Sequence, residues 1–279
     1  MNTDDKMEWQ DSYYVSPLSK QPLTPKTNGL FCQRDGIEYP VKNGIPDFVV
    51  EDLAESTSPV LRSVDKLDEA AKIYEGPSWY GIWDKISAEL NLPSIEDMVK
   101  MMMERVDAEN GVGLDVACGT GFVTRHLAQK MRLVYGIDIS MGMLEEATKY
   151  AREKEIGNIR FARSMVEKLP FPDGVFDGVT CSGALHLFQD TVEALNEMAR
   201  VMKSGARLAV LANAKGDLSA FNRLFERSGT SFPFGEEESL EMMHFFDVGE
   251  LDSYLSQAGF KGFMYDIYGH YVLFHAEKG

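Results

Sequence analysis

Gly113-Leu-Asp-Val-Ala-Cys-Gly-Thr-Gly121 runs from an apolar stretch into a turn of small residues, and the apolar residues of Phe122 to Met131 then recur at helical spacing. Strand, glycine turn and helix in this order make the first βα unit of a doubly wound α/β sheet, where ligands sit at the carboxyl ends of the strands. A second strand, Leu133-Val-Tyr-Gly-Ile-Asp138, closes on a carboxylate 17 residues after Gly121. Such a carboxylate can accept both hydroxyl hydrogens of an adenosine ribose.

Dinucleotides and S-adenosylmethionine both want that carboxylate, so the turn must separate them. A pyrophosphate needs the full G-x-G-x-x-G, but Thr124 occupies its third glycine position and Ala117 the first slot of the D-x-G-x-G-x-G form. S-adenosylmethionine has no phosphate. It needs backbone clearance at Gly119 and Gly121 and an acidic surrounding that tolerates its sulfonium and ammonium charges. Asp115 supplies a negative charge near the turn.

Four ordered motifs carry a family resemblance: Leu114-Asp-Val-Ala-Cys-Gly-Thr-Gly121, Gly136-Ile-Asp-Ile-Ser-Met-Gly-Met-Leu144, Leu169-Pro-Phe-Pro-Asp-Gly-Val-Phe-Asp177 and Ala199-Arg-Val-Met-Lys-Ser-Gly205. Over roughly residues 70 to 279 the chain resembles class I S-adenosylmethionine-dependent methyltransferases, within them the small-molecule branch that includes ubiquinone and menaquinone C-methyltransferases. The resemblance implies a seven-stranded Rossmann-like sheet, S-adenosylmethionine as cofactor, S-adenosylhomocysteine as product and no metal. It assigns Gly119 and Gly121, with Asp115 and Ala117 beside them, to the methionine moiety and Asp138 to the ribose. Ile139 and Met143 fall to the adenine face, Val166 to the adenine edge, and Ser182 with Gly183 to the floor. Ala117 departs from the usual first glycine. Met165 stands where the family commonly has an aspartate for the adenine amino group, with Ser164 as a substitute.

The rest of the chain divides around this unit. Residues 11–50 are rich in Pro, Gly, Ser and Asn with short strand-like runs at Gly29 to Cys32 and Tyr39 to Lys42. Ser16-Pro-Leu-Ser19 and Cys32-Gln-Arg-Asp35 have the spacing at which two turns offer paired thiolates to zinc, yet only Cys32 is a cysteine. The segment resembles the zinc ribbon found in front of some methyltransferases and in the small activator subunit of tRNA and protein methyltransferases, with its ligands replaced and no zinc expected. Glu51 to Pro59 reads as a linker, and residues 65–279 as the methyltransferase domain. Lys66 to Leu90 has helical spacing, Ser94 to Asn110 is a helix opened by Ser94 and Asp97, and its methionines read as core. The Phe-rich residues 213–246 read as a lid.

Methyl transfer from a sulfonium depends on placing the nucleophile in line in a dry pocket, so a protein base is optional. His186, in Ser182-Gly-Ala-Leu-His-Leu-Phe188, is the histidine best placed at the acceptor side, with Tyr80 as a second catalytic candidate. His126, His270 and His275 read as structural, and His244 belongs to the lid. Phe221, Phe225, Phe232, Phe234, Phe245 and Phe246, with Tyr80 and Trp83, either enclose a flat apolar acceptor or form the core beneath the lid. Cys118 and Cys181 fall at neighbouring strand ends, which suits buried thiols better than a thiophilic acceptor such as arsenite.

Composition narrows the partners. With 28 Lys and Arg against 44 Asp and Glu, the net charge of -16 argues against nucleic acid and anionic lipid, which need a dense cationic face. No run of the roughly 18 apolar residues needed to span a membrane occurs. Met1 to Gln10 lacks a secretion or transit pattern, and three scattered cysteines suit a reducing compartment, so a cytoplasmic protein is expected. The leading expectation is C- or O-methylation of a small organic, apolar or aromatic acceptor. An RNA base methyltransferase and a non-catalytic scaffold stand as alternatives, and the sequence carries no signature of an oligomeric state.

Overall fold

In the computed structural model, residues 12–51, 53–77, 79–228 and 244–279 are described. Four short strands come first: β1 (Thr24–Pro25), β2 (Gly29–Cys32), β3 (Ile37–Lys42) and β4 (Ile45–Pro46), joined antiparallel in that order. Leu30, Cys32 and Tyr39 of this small sheet and Phe48 just after it are buried in the same core as Tyr135 and Phe171 of the main body. Burial against a larger partner supplies the apolar area that so short a module lacks by itself. Asp47 also pairs with Arg163, and the Phe48 N–H donates to the Arg163 carbonyl at 2.8 Å.

The four zinc-spaced positions converge on one carboxylate. Asp35 accepts from the Ser16 hydroxyl and, at 2.7 Å, from the Ser19 hydroxyl, with the Cys32 sulfur 3.7 Å from Ser19 Oγ. These bonds hold the Asp35 carboxyl below its usual range. Among the described residues no three His, Cys, Asp or Glu side chains stand together as a metal site.

The segment read as a linker is partly helical. A 3-10 turn at Leu53–Glu55 precedes α1 (Pro59–Arg62), which Ser58 caps, and α2 (Val64–Ala70). The helix expected over Lys66 to Leu90 is interrupted: α2 ends in a 3-10 turn at Ala71–Ile73, Gly76 and Pro77 break the path, and α3 (Tyr80–Glu89) starts afresh. Proline lacks the N–H and pushes its predecessor out of helical geometry. In α4 (Ile95–Val106) Ser94 and Asp97 form a reciprocal capping box, and Met98, Met102 and Met103 are buried.

The main body alternates strand and helix: β5 (Val112–Val116), α5 (Phe122–Leu127), β6 (Leu133–Asp138), α6 (Met141–Glu153), β7 (Ile159–Arg163), β8 (Phe176–Ser182), α7 (Thr191–Val201) and β9 (Met202–Asn213). Then come α8 (Ser219–Ser228), α9 (Val248–Gln257), β10 (Phe260–Tyr268) and β11 (Tyr271–Lys278). The seven strands lie in the order β10-β11-β9-β8-β5-β6-β7, with only β11 antiparallel to its neighbours. Every residue of β5 is buried, as expected of a central parallel strand covered on both faces. Strand order reverses between β5 and β8, which opens a crevice at their carboxyl ends. Cys118 follows β5, Cys181 lies in β8 opposite Val116, and both are buried.

Residues 229–243 of the expected lid lie outside the described residues, Phe232 and Phe234 included, and so do the side chains of Phe221 and Phe225. Of the two expectations for these rings, Phe246 fits the core beneath the lid. It is 1% exposed in the main core, beside the bridge it forms with Ala214.

Candidate functional site

A cleft of about 860 Å³, open solvent included, lies at the switch between β5 and β8. Eight of the residues expected at the cofactor line it: Ala117, Gly119, Asp138, Ile139, Met143, Met165, Val166 and Ser182. Gly183 and Ser164 join them. Asp115 and Gly121 do not.

Asp138 ends β6 and is 9% exposed. Its two oxygens accept from the Gly119 and Ser140 N–H groups, each at 2.8 Å, so the carboxylate ties the first turn to the start of α6. Burial pushes its carboxyl up, the backbone amides pull it back, and no ion pair of the described residues neutralises it. An uncompensated carboxylate with spare lone pairs on a cleft wall suits a neutral diol. Ala117 and Gly119 both have φ +52°, and a Cβ at Gly119 would meet nothing within 4 Å. The bend therefore presents bare main chain to open space.

Asp115 behaves differently. It is 1% exposed, accepts from the Thr124 hydroxyl at 2.6 Å and the Thr180 hydroxyl at 2.8 Å, and lies beneath the turn. Desolvation raises its pKa to about 6 despite those bonds. Gly121, at φ +76°, allows close packing: a Cβ there would stand 3.1 Å from Ala147 and 3.2 Å from Phe161.

Met165 and Ser164 both line the cleft wall. The Ser164 hydroxyl donates to the Met165 and Lys168 carbonyls, at 3.1 and 3.2 Å. Glu167 lines the same wall, its carboxyl raised by burial and held by the backbone of Asp190 and Gln189. Neither Glu167 nor Gln189 was legible as a cleft residue. The roof was also missed: Val60, Leu61, Leu67 and Tyr74 come from a segment whose sequence shows only a linker and a helix.

Behind Tyr74 lies a cluster of aromatic rings. Tyr74 stacks on Trp79 at 5.8 Å and meets Tyr80 edge-on at 5.5 Å; Trp83 meets His270 at 5.4 Å and Tyr271 at 5.1 Å. Tyr80 packs on Phe122 and is not part of the cleft lining, while Phe245 approaches His270 at 6.4 Å. Burial raises the Tyr74 hydroxyl to about 12 and those of Tyr80 and Tyr271 further. Arg125 beside them is matched by Glu75 at 2.6 Å.

His186 is buried after β8 with Nδ1 unpartnered, and burial, then the charges of His270 and His244, lowers its pKa to about 3. A ring so reluctant to take a proton hydrogen-bonds as a neutral group and is a weak base. His126 donates either from Nδ1 to the Phe122 carbonyl or from Nε2 to the Glu96 carboxylate, and His244 pairs with Glu250 near the start of α9, both away from the cleft lining. His275 lies in β11, and His270 sits in the turn before it. Burial raises the Cys118 and Cys181 thiols far above their usual range, which keeps them protonated and poor ligands for arsenite.

Residues 114–210 match the family described as a methyltransferase domain. An uncharacterized methyltransferase of Bacillus subtilis, YcgJ, is 37% identical over 98 residues, covering 35% of this chain and 39% of that protein. A demethylmenaquinone methyltransferase of Geobacillus is 33% identical over 127 residues, 44% of this chain and 54% of that one. The demethylmenaquinone methyltransferase of Listeria welshimeri is 30% identical over 165 residues, 57% of this chain and 69% of that one. This chain belongs to the class I S-adenosylmethionine-dependent methyltransferases.

Solved methyltransferases share the fold. The YcgJ crystal structure superposes with a TM-score of 0.52 at 24% identity, covering 62% of this chain and 71% of YcgJ. A Haloferax volcanii methyltransferase complex with the Trm112 activator gives 0.54 at 18%, covering 70% and 96%. Geranyl diphosphate C-methyltransferase of Streptomyces coelicolor, bound to S-adenosylhomocysteine, gives 0.55 at 12%, covering 67% and 78%. The chain spans only about 39% and 54% of the B. subtilis and Geobacillus methyltransferases it matches. Among the described residues no helix is long and apolar enough to cross a membrane.

Proposed function

We propose that this methyltransferase moves the methyl group of S-adenosylmethionine to a carbon or oxygen of a small, uncharged, ring-bearing organic acceptor. The observation that carries the reading is Asp138: a buried carboxylate without a cation, held by two backbone amides at the mouth of a bare glycine bend. In this role it accepts both ribose hydroxyls, Ile139 and Met143 flank the adenine, and the backbone at Val166 meets its edge. Ser182 and Gly183 floor the methionine end. The cofactor when bound supplies a methyl group activated by a positive sulfur.

The chain's own work is then placement and exclusion of water. Tyr74 offers the acceptor a flat face from the cleft wall, Trp79, Tyr80, Trp83 and Tyr271 pack behind it, and His186 and Tyr80 are the neutral hydrogen-bonding groups that an acceptor reaching past Tyr74 would meet. An adjoining cavity is lined by Glu51, Glu55, Glu167 and Asp190 against Lys168, the single cation among its described residues and itself paired with Glu51, an unfavourable approach for a polyphosphate or an RNA backbone. In the same reading residues 11–50 are a ribbon-like module in which hydrogen bonds around Asp35 take the place of a metal, and residues 213–246 are a lid.

Calorimetry with S-adenosylhomocysteine tests the cofactor half, with binding expected and its absence overturning the reading. Transfer of isotopically labelled methyl groups to phenols and quinols, set against RNA, tests the other half. Labelled RNA with unlabelled phenols would refute the small-molecule acceptor.

A further inference from the structure

Residues 53–75 cross the cleft and are fastened to three of its walls. At the adenine side the Gln189 amide donates to the Thr57 hydroxyl at 2.8 Å. At the methionine side Glu75 accepts from the Thr120 hydroxyl at 2.6 Å and from Arg125 at 2.6 Å, while Arg125 also donates to the Thr120 carbonyl at 2.8 Å. At the ribose corner Asp68 Oδ1 accepts from the Ser140 hydroxyl and from the Gly142 N–H at 2.9 Å. Between these points Val60, Leu61, Leu67 and Tyr74 face the cavity.

The ribose-corner fastening is the most specific. Ser140 gives its N–H to Asp138 and its hydroxyl hydrogen to Asp68, while its oxygen caps α6 by accepting from Met143 N–H at 3.1 Å. One serine thus connects the ribose carboxylate to the roof. Gly142 makes the approach possible: a Cβ there would lie 2.7 Å from both Cα and the carbonyl oxygen of Asp68. Glycine inside a helix is unfavourable by itself, so a close neighbour accounts for it.

We infer that residues 53–75 form the roof of the cofactor site and that Asp68 is the positioning residue that latches it over the ribose corner, so that cofactor and product leave only when this latch opens. The inference rests on the proposed cofactor. Asp68 acts through two accepted hydrogen bonds, and its charge is dispensable.

Stopped-flow dissociation of S-adenosylhomocysteine from the full chain reads the latch. Asp68→Ala is expected to speed dissociation about tenfold, the effect of one to two lost hydrogen bonds. KM for S-adenosylmethionine rises in parallel, kcat does not fall, and the melting temperature of the ligand-free protein moves by no more than about 2 °C. Asp68→Asn keeps an oxygen that accepts both bonds, so its rate stays within about twofold of the parent. Gly142→Ala wedges the roof from below and reproduces the fast dissociation although alanine is the better helix former. Should Asp68→Ala fail to fold, Gly142→Ala decides. Dissociation within twofold in Asp68→Ala, or in Gly142→Ala when it stands alone, overturns the latch. Fast release in Asp68→Asn overturns the acceptor role. No binding by the parent protein overturns the cofactor reading itself and the roof with it, whereas binding with unchanged rates overturns only the roof.

Discussion

Around Asp138 the cleft is made of main chain: two amides aim at one carboxylate, and the nearest bend has no side chain on its open side. Tyr74 faces the same cleft as a side chain, and behind it a cluster of rings packs together from α3, from the turn at residues 269–270 and from β11. Backbone geometry recognises an invariant partner such as a ribose, since it changes little when side chains vary. A ring cluster recognises shape, and shape follows each substitution. On the proposed function, the Asp138 corner would serve the shared cofactor and the ring cluster this chain's own acceptor.

The sharpest break in that contrast is Asp138→Ala. Loss of two charge-assisted bonds to a diol is expected to weaken S-adenosylhomocysteine by about 3 kcal/mol, near a hundredfold in Kd by calorimetry. A change under about threefold would mean that the carboxylate only braces the turn.

Asp115 sharpens the same contrast from beneath. Its carboxyl titrates near 6 when folded and near 4 when unfolded, so in that window the folded state holds more protons and stability falls as pH rises. Above 6 the penalty is fully present. Asp115→Asn, whose oxygen accepts from Thr124 while its amide donates to the Thr180 hydroxyl, freed to donate to the Leu114 carbonyl, is expected to stabilise the protein by about 2 kcal/mol at pH 7, with the advantage fading as pH falls toward 4. Urea unfolding at pH 7 and pH 4.5 checks it, and equal stability at both would return Asp115 to a solvated role.

Gly121→Ala comes next. The left-handed backbone and the close Ala147 and Phe161 contacts predict a stability loss of about 1–2 kcal/mol, with affinity for S-adenosylhomocysteine little changed. A large affinity loss at unchanged melting temperature would place Gly121 at the cofactor.

Local chemistry explains what could be read in advance. Gly119, Asp138 and Ser182 sit at strand ends, where the βα rhythm fixes a residue's position from its neighbours in the chain. Asp115 and Gly121 share that rhythm, but whether a strand-end side chain turns up to the cleft or down to the helix depends on partners such as Thr180, 65 residues away. The roof was illegible for a stronger reason. Leu61, Leu67 and Asp68 have no spacing that distinguishes a cleft cover from an ordinary linker and helix, and only Gly142, an unfavourable residue in a helix, hinted that something approaches there. Cys32, Ser16, Ser19 and Asp35 were readable as a spacing, while the hydrogen bonds that join them were not.

His186 carries the smallest effect and bears most directly on the aromatic end. Held neutral with a pKa near 3, where the unfolded side chain titrates near 6.5, it does not change charge anywhere in the range where activity is measured. A neutral ring that positions an acceptor hydroxyl contributes one hydrogen bond, about 1 kcal/mol. His186→Gln, which preserves a hydrogen-bonding group, is therefore expected to raise the acceptor KM several-fold, leave kcat within about threefold, and keep the shape of the pH–rate profile between pH 6 and 8. A general base would behave otherwise: its removal lowers kcat by about a hundredfold or more and erases an ascending limb. That outcome would mean that the bound acceptor and cofactor raise the proton affinity of His186 by several pH units, which a positive sulfonium nearby opposes, so the steady-state profile decides between an oriented neutral acceptor and one that must first lose a proton.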